Sequence, residues 1–274
     1  FNEEFINRLI KNICLQIDNY IKEIKPKNLV YISFDGIAPF AKLKQQKERR
    51  FKSKLVTEML NEIIVEKCSN MFIEKQANIK FDRTCITPGT YFMRQMDKKV
   101  NEFFMGSEKI YNINKIIVST SNERGEGEHK IFDYIRKNDN SNLESHVIYG
   151  LDADLIILCL NHMHISKNIY LFRETPEFIK SLSSEIEPGE LYLMKIEELM
   201  YYILDKMMND VKNPVKRIKD YVFIMFLLGN DFMPHFPSLN IRTHGIEMIL
   251  ETYKNVLGKK KMFLIEEGEI VWKH

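Results

Sequence analysis

Four short runs of β-branched and aromatic residues constrain this chain more than any other feature. NLVYISF (28–34) reads as a buried strand, and KIIVST (115–120), HVIYG (146–150) and NIYLFRE (168–174) read as three more. Helical patterns lie between them. Phe5, Ile6, Leu9, Ile10, Ile13 and Ile17 recur at helical spacing over 4–23, and Pro26 closes that segment. Pro39 opens a long basic helix through the forties and fifties, and TPGT (87–90) is a turn with Thr90 as the N-cap of the next helix. A loop, SNERGEGEHK, then leads into a helix through IFDYIRK, and further helices are expected over 191–209, 215–228 and 245–256. The stretch 175–190 reads as an irregular insertion. Strands alternating with helices predict an α/β fold, with a mainly parallel central sheet flanked by helices on both faces. No internal repeat and no clear domain boundary is visible.

Composition narrows the function classes. Only 11 Gly and 8 Pro occur in 274 residues, which excludes collagen-like and low-complexity material. The longest apolar run, YVFIMFLLG (221–229), falls far short of the ~20 residues a membrane helix needs. Cys14, Cys68, Cys85 and Cys159 lie far apart with no CxxC pair, which argues against a zinc knuckle or disulfide framework and for a reducing compartment. The net charge of +2 excludes a uniformly basic coat but leaves room for a local patch. The chain opens FNEEFINR, with neither an initiator Met nor a signal peptide, which suggests a fragment.

Acidic motifs stand where strands or helices hand over to loops. These are FDG at Asp35, GEGEHK at Glu126 and Glu128, LDADL at Asp152 and Asp154, and GND at Asp231. A single Asp after a strand is usually a turn or cap residue. Six carboxylates beside strongly apolar flanks are another matter, because ligands in open α/β sheets bind outside the carboxyl ends of the strands. Carboxylates gathered there repel unless divalent cations neutralise them. Mg²⁺ suits spaced single carboxylates, and two such ions can drive phosphodiester hydrolysis. Glu126 and Glu128, two positions apart at a helix entry, are expected to point in different directions and so to serve different ions. His129, His235 and His244 are scattered and add nothing to the set.

The helix after Asp35 is strongly basic. From Lys42 to Lys54 there are seven Lys or Arg and one Glu, a local charge of +6. Lys42, Gln46, Arg49 and Arg50 fall within an arc of roughly 100°. The plain alternative is a solvated helix face. Two Arg forks, a Lys point charge and an amide donor could equally saturate a terminal phosphate.

These motifs, in this order, resemble the 5′→3′ exoribonuclease family (Xrn/Rat type). The matching text is FDGIAPFAKLKQQKERRFKS, TPGTYFM, GEGEHKIFDYIR, VIYGLDADLIIL, NIYLFRE and FIMFLLGNDFMPHFPSL. The resemblance implies a core related to flap endonuclease and PIN-type nucleases. It implies a processive enzyme, with Mg²⁺ or Mn²⁺ as cofactor, that degrades 5′-monophosphorylated single-stranded RNA to mononucleotides. Its metal carboxylates would be Asp35, Glu126, Glu128, Asp152, Asp154 and Asp231, and its 5′-phosphate ligands Lys42, Gln46, Arg49 and Arg50. It also implies that residues 1–274 are part of one catalytic domain. An earlier strand with a further Asp and a nearby His, and a later region with an RNA-stacking aromatic, would lie outside them. The family usually has Arg where Phe40 stands. The absence of a Cys/His knuckle over 160–220, unlike many nuclear members, points to a cytoplasmic or viral-type member, with the nucleus as the alternative location. The competing readings are a flap or PIN-type nuclease acting on DNA, and a non-catalytic RNA-binding relic.

Overall fold

The computed structural model describes residues 3–67, 83–138, 145–175, 186–187, 189–207, 213–260 and 262–273. The chain divides into two compact units, Phe1–Ile131 and Phe132–His274. The division falls inside one helix, where no Gly or Pro marks it, which is why the sequence shows no boundary there.

In the first unit, α1 (Glu3–Ile24) buries Ile6, Ile10, Cys14 and Ile21, one side chain per turn, with Asp18 on the same face. Glu3 and Glu4 in its first turn suit the helix dipole. It ends at Lys25, whose φ of 52° is left-handed, just before Pro26. Asp18 is buried but matched: Lys22 Nζ lies 2.6 Å from one oxygen, and Tyr111 donates its hydroxyl to the other at 2.8 Å. Strand β1 (Leu29–Ser33) pairs in parallel with β2 (Lys115–Ser119), Leu29 opposite Lys115 and Ser33 opposite Ser119. Only Ile32 of β1 is buried, so it is not the fully buried strand its composition suggests.

Helix α2 (Phe40–Lys67) runs for 28 residues directly after Pro39. Helix α3 (Tyr91–Phe104) is capped by Thr90, whose hydroxyl accepts the Met93 N–H at 3.3 Å. Its buried Phe92, Met93, Met96, Val100 and Phe104 join the α1 face, Ile32, Ile113 and Ile116 in one core. Val100 and Phe104 are wholly buried, which stabilises the unit by about 1.5–3 kcal/mol each. A single turn, α4 (Glu108–Tyr111), closes on left-handed Asn112 and leads to β2.

Helix α5 (Gly127–Asn138) begins within GEGEHK, earlier than the expected loop SNERGEGEHK allows. It crosses into the second unit. There β3 (His146–Tyr149) pairs in parallel with β4 (Ile169–Glu174), with α6 (Asp154–Asn161) between them. On the other edge of β4, β5 (Leu191–Lys195) pairs antiparallel, Tyr170 opposite Lys195 and Glu174 opposite Leu191. The helix expected over 191–209 therefore starts only at Ile196, as α7 (Ile196–Met207), with Glu197 and Glu198 in its first turn. Most of the expected 175–190 insertion lies outside the described residues. Helices α8 (Pro214–Phe226) and α9 (Gly245–Tyr253) follow, then the hairpin β6 (Ile265–Glu266) and β7 (Glu269–Ile270).

The chain is thus α/β, but the described strands form three small sheets, ordered β1-β2, β3-β4-β5 and β6-β7, rather than one central sheet. The parallel pairs are β1·β2 and β3·β4, each with the helical crossover that parallel pairing requires. Among the described residues, no helix is long and apolar enough to cross a membrane.

Candidate metal and phosphate site

The first unit brings several charged residues to the carboxyl ends of β1 and β2. Asp35 follows β1 and is exposed, and its Oδ1 accepts the Gly127 N–H at 2.7 Å. The two strand-end loops are also laced directly: Gly36 N–H donates to Gly125 O at 2.8 Å, and Gly125 N–H to Ile37 O at 3.1 Å. Gly36 has to be glycine, because a Cβ there would lie 1.6 Å from Glu123 O. Gly125 has a φ of +92°, which L side chains rarely adopt.

Two buried charged residues fix this junction, and sequence reasoning missed both. Lys130 donates to Phe34 O and to Thr120 O, each at 2.9 Å, and so ties the residues just beyond both strands together. Burial pulls the Lys130 ammonium below its usual range, while Glu123, Asp35 and Asp97 pull it back up. Asp97, on α3, accepts from Ser121 N at 3.0 Å and Ser121 Oγ at 2.6 Å. Ser119 Oγ donates to Glu123 Oε2 at 2.6 Å, completing the hold on the loop before Glu126.

Glu126 emerges from that loop with its side chain 5% exposed. Lys42 Nζ lies 2.7 Å from Oε1, and His129 Nε2 lies 3.7 Å from Oε2. By distance Lys42 is an ion-pair partner, yet neither buried oxygen accepts a well-aligned hydrogen bond. Glu126, Glu128 and His129 each offer a ligand atom, all within 4.8 Å of one another. Glu126 and Glu128 thus converge rather than diverge. The reason is the early start of α5: Glu126 precedes the helix, so helical bearings do not apply between the two. His129, in the first turn of α5, belongs with them as well. A buried carboxylate whose oxygens lack aligned donors, beside a second carboxylate and an imidazole, is a donor set that fits a divalent cation.

On α2, Lys42 and Gln46 are half-buried and Arg49 and Arg50 are exposed. Lys42, one of the four expected phosphate ligands, is paired with Glu126.

The second unit holds the other three carboxylates. Asp152 stands beyond the carboxyl end of β3, exposed, and its Oδ1 accepts the Asp154 N–H at 3.3 Å. Asp154 sits half-buried in the first turn of α6. Asp231 is half-buried in the turn after α8, where Asn230 Oδ1 accepts from Phe232 N and Met233 N, each at 2.9 Å. Among the described residues of this unit, no group of three such ligands comes together.

The chain is thus an α/β protein with carboxylates at the carboxyl ends of its parallel strands and a long basic helix after β1. The family model for the XRN 5′-3′ exonuclease N-terminus matches residues 2–175, and that for the Xrn1 helical domain matches residues 212–274. The 5′-3′ exoribonuclease 1 of Saccharomyces cerevisiae is 36% identical over 94% of this chain and 18% of its own length. The 5′-3′ exoribonuclease 2 homolog of Drosophila melanogaster is 30% identical over 93% of this chain and 33% of its own length. The 5′-3′ exoribonuclease 2 of Arabidopsis thaliana is 31% identical over 93% of this chain and 30% of its own length. The chain belongs to the XRN 5′-3′ exonuclease family. It spans a third or less of these relatives.

Proposed function

We propose that this chain is part of the catalytic domain of an enzyme that hydrolyses 5′-monophosphorylated single-stranded RNA from its 5′ end, on a core related to flap and PIN-type nucleases. The observation that carries the reading is the Glu126 carboxylate, buried, without an aligned donor and grouped with Glu128 and His129 beyond the β1·β2 pair. Asp35, Glu126 and Glu128 in the first unit, and Asp152, Asp154 and Asp231 in the second, are the proposed ligands of two Mg²⁺ or Mn²⁺ ions. Such ions, when bound, activate a water and stabilise the leaving oxygen. Lys42, Gln46, Arg49 and Arg50 hold the 5′-phosphate and so set which phosphodiester lies at the site. The water oxygen bonds to that phosphorus as the bond to the 3′-oxygen breaks. A nucleoside 5′-monophosphate leaves, and the shortened RNA carries a new 5′-phosphate.

The test is competition between 5′-phosphate and 5′-hydroxyl RNA. Charge-assisted bonds contribute ~1.5–3 kcal/mol each, so Arg49→Ala/Arg50→Ala is expected to cost several powers of ten in preference for the phosphorylated end. Equal preference in the two proteins would reduce the basic helix to a solvated face.

A further inference from the structure

Helix α2 carries a second face that the phosphate-reading residues leave unused. At 100° per residue, Phe40, Lys44, Lys47, Phe51 and Lys54 fall within about 80° of arc, centred roughly opposite Lys42 and Arg49. Every step along this stripe is three or four residues, so each side chain follows the last by one turn. The order is aromatic, cation, cation, aromatic, cation. Phe40 is 90% exposed and Phe51 69%, the Lys54 side chain is 73% exposed, and Lys44 and Lys47 are exposed as well. No acidic residue enters the stripe before Glu58, which ends it with an ion pair to Lys54 at 3.8 Å.

Single exposed apolar side chains are ordinary on a protein surface. Two phenylalanines that return to one bearing after three turns, about 16.5 Å apart, with lysines at every turn between them, form a pattern. Ring faces offer bases a stacking platform, and the intervening ammonium groups meet a phosphate backbone. A membrane-seeking helix would show a continuous apolar face instead, and here lysines break it.

We propose that this stripe is a track for single-stranded RNA, on which Phe40 and Phe51 stack bases and Lys44, Lys47 and Lys54 neutralise phosphates. It takes the body of the strand, whereas the opposite face takes its 5′ end. The proposal rests on the reading of the substrate as RNA.

The experiment measures equilibrium binding of a single-stranded RNA of about 20 nucleotides, with a 5′-phosphate or a 5′-hydroxyl, by fluorescence anisotropy in chelator so that nothing is hydrolysed. Phe40→Ala/Phe51→Ala is expected to weaken binding of both RNAs by about tenfold or more, and Phe40→Tyr/Phe51→Tyr to restore it. Lys44→Gln/Lys47→Gln/Lys54→Gln is expected to flatten the slope of log affinity against log salt by about 2, because each neutralised single-strand phosphate contributes ~0.7. The ratio of 5′-phosphate to 5′-hydroxyl binding stays unchanged in all three variants. Unaltered affinity and slope would overturn the proposal. So would an effect confined to self-association in sedimentation, which would make the stripe a protein-docking face. Failure of the 5′-phosphate reading looks different: the unsubstituted chain would show no preference between the two RNAs, while the stripe effects would remain.

Discussion

Replacing Lys42 by Met removes the nearest counter-charge of a buried carboxylate. The Glu126 side chain is 5% exposed and the Lys42 side chain 15%, with 2.7 Å between ammonium and Oε1. His129 stands 3.7 Å from the other oxygen but carries charge only when protonated. Breaking a buried ion pair from one side costs about 3–5 kcal/mol, because the remaining charge stays desolvated. Both side chains keep some contact with solvent, which places the expected loss at the lower end, ~3 kcal/mol. For a chain of this size that lowers the melting midpoint by roughly 6–12 °C. A divalent cation supplies the missing charge. At about 100 times its dissociation constant it restores ~2.7 kcal/mol, nearly the whole loss.

The assay is thermal unfolding of wild type, Lys42→Met and Lys42→Met/Glu126→Gln, in chelator and across a Mn²⁺ titration. Lys42→Met should melt lowest in chelator and recover most with metal. The double variant, with no buried charge at position 126, should show little of either. A Lys42→Met midpoint equal to wild type in chelator would refute the argument, as would equal metal recovery in the double variant.

Three further outcomes follow from the same geometry. In the complete protein, Asp154→Asn should abolish hydrolysis while leaving RNA binding largely intact, since an amide cannot supply the charge that holds a cation; turnover and anisotropy measured side by side check it. Burial pushes the Asp18 carboxyl up, but bonds from Lys22 and Tyr111 outweigh that and hold it below its usual value. The unfolded chain therefore binds the proton more tightly, so this group's stabilisation is present above pH ~4 and is lost as pH falls through the depressed value; Asp18→Asn should flatten the acid limb of a stability-versus-pH curve. In the second unit, Arg217 is 1% exposed, donates to Tyr253 Oη at 2.5 Å and to Met262 O, and lies 3.9 Å from the centre of the Phe263 ring. Arg217→Met leaves buried Asp220 without its cation and should cost about 3–5 kcal/mol in urea unfolding.

The sequence was most readable where local chemistry decides structure. β-branched runs announced β1 to β4, and Thr90 announced the start of α3 through the hydrogen bond its hydroxyl can accept. LYLMK (191–195) was misread because Leu, Met and Lys are good helix formers. The open edge of β4 decided its state, and that edge is a tertiary fact. Asp97 looks like the polar side of an amphipathic helix, yet it is 4% exposed and holds Ser121. Lys130 in GEGEHK reads as a surface cation, and only the joined strand ends reveal the carbonyls it bridges. In each case the partner lies on another element, so the charge pattern alone could not supply it.

Lys42 carries two roles in this reading, one observed and one proposed. Its place in the basic arc suggests a phosphate, and its position in the fold pairs it with Glu126. One carboxylate oxygen cannot be fully neutralised by an ammonium and by a divalent cation at once, so the two compete for Glu126. On the proposed function, a cation bound there would weaken the hold on Lys42 and leave its charge to an incoming 5′-phosphate. By reciprocity, a phosphate that drew Lys42 away would strengthen the site for the cation by the same factor. Lys130 and Asp97 keep the loop leading to Glu126 in place throughout, because their bonds run to backbone and serine groups rather than to the competing charges. The charge at the site can therefore be exchanged without rebuilding the strand ends that present it.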